Sequence, residues 1–91
     1  MSTLPVLFEI SGISVLTRPS LIIAEGHLRQ GVVTIGETLS ASLAPDAPRI
    51  EVRGIIARSP RVKPYARTLS LTFLPKEFNV AGVSVGDFLH G

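Results

Sequence analysis

Residues 68–74 read TLSLTFL, with Leu69, Leu71 and Phe73 alternating with Thr68, Ser70 and Thr72. A side-chain period of two sets the apolar residues on one face of an extended strand, a pattern that no helix presents. The device recurs along the chain. TLSASL (38–43) alternates Leu39, Ala41 and Leu43 with Ser and Thr, and RIEVRGII (49–56) sets Ile50 and Val52 against Arg49, Glu51 and Arg53. In VLFEI (6–10), Val6, Phe8 and Ile10 share a face, whereas Ile13 and Val15 continue out of phase. An odd step flips the face, so Ser11–Gly12 is expected to be a bulge or kink. LIIA (21–24) is a continuous apolar run, as in a strand that is covered on both sides or bends. No segment has a helical period, and no internal repeat or domain boundary is expected. Prolines 5, 19, 45, 48, 60, 64 and 75 fall mostly between the strand-like runs. Short strands separated by turn signals predict an all-β small barrel or sandwich, with Phe8, Ile10, Leu39, Ile50, Val52, Leu69, Leu71 and Phe73 inside.

Ninety-one residues make one domain, residues 1–91, with material for a single core. There is no cysteine, which removes disulfides and thiolate metal sites. No run approaches the ~18 apolar residues of a membrane-spanning helix. The start, MSTLPVLFEI, lacks the basic residues and long apolar run of a signal peptide, so a cytoplasmic protein is expected. Charged residues are 18% of the chain, against about 25% in ordinary domains. Two readings account for that. Ser and Thr supply the polar face, or an apolar patch is hidden by another copy or another protein.

In LRQGVVTIGETL (28–39), Gly31 and Gly36 bracket four residues, three of them β-branched and apolar. The arrangement reads as strand, turn, short apolar bridge, turn, strand. Gly31 ends one strand and Gly36 reverses the backbone before the next. Val32, Val33 and Ile35 are expected to lay the bridge over a barrel mouth. Gly26, Gly31, Val32, Val33, Ile35, Gly36, Glu37 and Leu39, followed by RGII (53–56) and by VSVGDFL (83–89) with Gly86, Asp87 and Leu89, resemble the second, β-barrel domain of translational GTPases of the elongation factor Tu type. The resemblance covers about residues 6–90. It implies a closed six-stranded barrel, standing alone without the GTPase domain, and gives Asp87 a structural role in a turn.

The departures from that family bear on function. No Gly-x-x-x-x-Gly-Lys-Ser/Thr loop occurs, so GTP hydrolysis by that machinery and a nucleotide cofactor are not expected. At the positions where the family presents an acidic and an aromatic side chain to the end of aminoacyl-tRNA, this chain has Ile56 and Arg58. LTRPSL (16–21) replaces the family's Arg-Gly turn. Catalytic constellations are thin. His27 and His90 are expected to be structural, no serine sits in a nucleophile elbow, and the glutamates are scattered. No enzymatic activity, metal or cofactor is expected.

The charge distribution carries the functional expectation. Six of nine Lys and Arg lie within residues 49–67: Arg49, Arg53, Arg58, Arg61, Lys63 and Arg67. ARSPRVKPYAR (57–67) is a proline-stiffened basic loop around Tyr65. Arg and Lys suit phosphate oxygens, and an exposed Tyr can stack on a base. The expected binding residues are Arg58, Arg61, Lys63, Tyr65 and Arg67. The sequence leaves two readings open. One is a non-enzymatic module that contacts RNA or the ribosome through this loop. The other is a protein–protein interaction or self-associating adaptor barrel, its partner another protein or a homodimer, with no nucleic-acid contact and solvated loop arginines. Neither involves a membrane.

Overall fold

The structure, a computed structural model of the chain, describes residues 4–57 and 68–91. The chain is mostly β. Strands β1 (Leu7–Thr17), β2 (Ser20–Gln30), β3 (Thr38–Ser40), β4 (Arg49–Glu51), β5 (Gly54–Ala57) and β6 (Thr68–Phe73) are followed by one short helix, α1 (Pro75–Ala81), and by β7 (Phe88–His90). All pairings are antiparallel, in one sheet of order β4-β3-β7-β1-β2-β6-β5. The sheet curls into a half-barrel. The expected all-β class holds, but the ladders run through seven strands and end at β4 and β5 rather than closing a ring of six.

The two edges of the sheet belong to one stretch of chain. Only Val52 and Arg53 separate β4 from β5. Val52 donates its N–H to Glu37 O (2.8 Å) and accepts from Gly36 N–H (2.8 Å), whereas Arg53 donates to Thr72 O (2.8 Å). Neighbouring residues thus serve opposite edges, and this is what obliges the sheet to curl.

The core is the predicted one with one exception. Phe8, Leu39, Val52, Leu71 and Phe73 are fully buried and Ile10 and Ile50 almost so, joined by Val6, Ala24 and Leu89, while Leu69 is only half-buried. The expected odd step at Ser11–Gly12 is a register shift between Ile10 and Gly12. Two expectations fail for physical reasons. TLSASL is not one strand: Ser40 is buried and turns its hydroxyl onto Ser42 O (2.7 Å), the chain leaves the ladder, and Leu43 is exposed. The Ser and Thr face of β6 is not wet: Ser70 and Thr72 are buried, and Thr72 lies over Gly54 of β5, where a Cβ would come 2.8 Å from its Oγ1.

The helix has no counterpart in the sequence reading. Pro75 opens it at a position where the missing N–H costs nothing, and Gly82 closes it with φ +66°. Its seven residues are too few to display a period. It packs across β4 and β2, and Phe78 places its ring 5.5 Å from that of Phe73.

Gly31 and Gly36 both have positive φ (+79° and +93°). The second turn also has a twin. In Thr34–Glu37, the Thr34 N–H donates to Glu37 Oε1 (3.1 Å) and the Glu37 N–H donates back to Thr34 O (3.2 Å). In Ser84–Asp87, the Ser84 N–H donates to Asp87 Oδ2 (2.9 Å) and the Asp87 N–H donates to Ser84 O (3.0 Å), with Gly86 at φ +95°. Each turn is followed, two residues after its acid, by a fully buried leucine, Leu39 or Leu89. One six-residue device is therefore used twice, where no repeat was expected. Val33 is buried beneath the bridge, but Val32 and Ile35 point out to solvent.

Candidate functional site

The binding residues expected from the sequence, Arg58, Arg61, Lys63, Tyr65 and Arg67, lie outside the described residues. The anchorage of their segment is described. Ala57 pairs in register with Leu69, and Thr68 with His27 of β2. The His27 Nδ1 stands 3.2 Å from Thr68 Oγ1. His27 is paired across β1 with Glu9, whose Oε1 accepts from Arg29 Nε (2.8 Å) and Nη2 (2.6 Å).

The other two cations of the basic cluster are engaged within the fold. Arg49 donates from Nε to Thr38 Oγ1 (2.9 Å) and from Nη2 to Thr38 O (2.9 Å), bracing β4 on β3. Arg53 Nη1 lies 3.3 Å from Glu51 Oε2. For these two, the cluster has the structural meaning of solvated and paired arginines.

The two histidines are not brought together with acids into a cation site. His90 pairs with Leu7 and Ser40, and His27 with Glu9 and Thr68. Among the described residues, no group of three His, Cys, Asp or Glu is placed to hold a metal ion. Asp87 spends its carboxylate on the Ser84 N–H, which is a turn role. No helix among the described residues is long and apolar enough to cross a membrane.

The surface carries a second feature, one that the sequence reading did not locate. Val15 and Leu16, near the tip of the β1–β2 hairpin, are exposed on opposite faces, with Ile35 and Val85 exposed at the two twin turns and Val80 on the helix. The hairpin outreaches its neighbours. β7 accompanies β1 only over Leu7–Glu9, and Ile10 closes that contact by donating to Asp87 O (3.0 Å) and accepting from Gly86 N–H (2.9 Å). From Gly12 to Thr17, β1 has β2 as its one strand neighbour among the described residues. The signal was present in the sequence as a run from Ile10 to Thr17 with no charge and no proline. That the run is an edge follows from the shortness of β7, which composition does not reveal.

No protein-family model, no curated protein and no solved structure matches the chain. What the fold and surface define is a mostly β domain with a curled antiparallel sheet, exposed apolar side chains and, among the described residues, an unpaired outer edge along Gly12–Thr17 of β1.

Proposed function

We propose that this chain is a non-enzymatic binding module that docks another protein through apolar surface, on a scaffold of the translation-factor barrel type. The observation that carries the reading is the uncharged, exposed half of β1, where Val15 is 65% exposed beside Leu16 in a chain short of charge. Scattered surface hydrophobes need no explanation, but two adjacent ones, Val15 and Leu16, on an uncharged strand half that lacks a second strand neighbour among the described residues do. Two features support the scaffold type. The glycines with positive φ, Gly31, Gly36 and Gly86, occupy the positions on which the resemblance rests. Counting β4 and β5 as one strand, the stretch 49–57 would complete a ring of six.

A second reading assigns RNA to the β5–β6 connection. It is favoured by the crowding of Arg58, Arg61, Lys63 and Arg67 around Tyr65, once Arg49 and Arg53 are accounted for within the fold. Titration of labelled single-stranded and hairpin RNA against wild type and the Arg61→Ala/Lys63→Ala variant, at low and physiological salt, separates the two. Protein docking predicts RNA binding that is absent or equal for both proteins. Affinity that falls steeply with salt, with a flatter slope in the variant, would move the assignment to RNA, since each neutralised phosphate adds to the salt slope.

A further inference from the structure

We propose that the outer edge of β1 from Gly12 to Leu16 is a self-pairing site. There a second copy of this chain adds its own β1 antiparallel and continues the sheet across a two-fold axis. The proposal rests on the protein-docking reading and names its partner.

An antiparallel strand turns the N–H and C=O of alternate residues to each side. From Gly12 onward only the β2 side is taken among the described residues, so a row of backbone donors and acceptors faces outward. An extended strand is the partner that satisfies such a row. Native edges are usually blunted by lysine, proline or an inward charge. None occurs between Gly12 and Thr17. The bulge at Ser11 and the turn at Arg18–Pro19 stand at the two ends and set the length of the edge.

The sequence of the edge selects a second copy as the occupant. A strand that pairs with itself across a two-fold axis must set some residue opposite its own twin, because only alternate residues face the edge. With Ser14 at the axis, Ile13 stands opposite the second copy's Val15, and Gly12 opposite its Leu16. The β-branched pairs then form one continuous apolar face, the combination that cross-strand pairing favours. Gly12 leaves space there, since a Cβ at that position would meet only Glu25 Cβ, at 3.9 Å. No charged residue enters the ladder, and the two Arg18 side chains lie at opposite ends. Centring the pair on Val15 would set Ser14 against Leu16 and Gly12 against Arg18. A parallel in-register pair would bring Arg18 against Arg18.

The test is the molar mass of the full chain in solution, by size-exclusion chromatography with light scattering over a concentration series. Wild type is expected to form a dimer as concentration rises. Ser14 is exposed, so Ser14→Arg and Ser14→Glu leave the core untouched, and thermal melts of both should match wild type. Each variant sets like charges face to face at the axis and should weaken the dimer by about tenfold or more. Mixing the two should restore a mixed dimer. If Ser14→Arg fails to fold, Val15→Lys places an edge-blocking lysine at a solvent-exposed site and should give a folded monomer. A wild type that stays monomeric at every concentration overturns the proposal. So does a dimer that neither Ser14 variant weakens, although that result leaves the docking reading standing on another surface. A monomer that binds RNA with a steep salt dependence removes both.

Discussion

Gly26 of β2 lies directly against the backbone of Glu9 in β1: a Cβ at residue 26 would overlap the Glu9 carbonyl oxygen and approach Phe8 Cζ to 3.0 Å. The two strands come this close just before β1 bulges at Ser11, and any side chain at residue 26 would wedge them apart. Gly26→Ala should destabilise the domain by about 1–3 kcal/mol, the usual range for overpacking. Gly12→Ala, where a Cβ would make only an ordinary contact with Glu25 Cβ at 3.9 Å, is the control on the same hairpin and should cost well under that. Denaturant melts of the two variants make the comparison, and equal losses would contradict it.

The twin turns predict a matched pair of effects. A Cβ at Gly36 or Gly86 meets no atom within 4 Å, so space is not the obstacle at either site. Both carry φ near +95°, which L side chains, and β-branched ones above all, adopt with strain. Gly36→Val and Gly86→Val should each cost ~1–3 kcal/mol, in similar amounts. Gly36→Asn, which tolerates positive φ better, should recover part of the loss.

The core predicts where stability concentrates. Leu71 is fully buried in β6, and Phe78 is 4% exposed with its ring against Phe73. Leu71→Ala should cost about 2–5 kcal/mol and Phe78→Ala about 3–5 kcal/mol, large shares of a small domain's stability. Thermal unfolding checks both. A melting temperature unchanged by Phe78→Ala would mean that α1 does not close the core.

Most of the strand framework was legible because half-buried strands write their burial as a period of two. Phe8, Ile10, Ile50, Val52, Leu71 and Phe73 could each be placed inward from neighbours two residues away. The misses follow from information held elsewhere in the chain. Ser70 and Thr72 look solvent-facing by polarity, yet both are buried, Thr72 against Gly54 of β5. Leu43 fits the alternation, yet the Ser40 hydroxyl bonds locally and ends the strand first. α1 is too short for periodicity, although Pro75 and Gly82 marked its two ends. The repeat of TIGETL in SVGDFL is faint in the sequence because its identities are only Gly and Leu. The physical match lies in hydrogen bonds from Thr34 and Ser84 to the acids three residues on. Arg58, Arg61, Lys63 and Arg67 stood out by charge, and they lie outside the described residues. The open edge of β1 depended on how far β7 extends, a tertiary fact.

The central claim is that this domain works by apolar docking rather than by phosphate contact. Dilution calorimetry of the associated full-length chain, at several temperatures and at low and high salt, tests it most directly. The account predicts association that survives high salt and carries a negative heat-capacity change, the signature of buried apolar surface. Association that collapses as salt rises, or that appears only with added RNA, would contradict it.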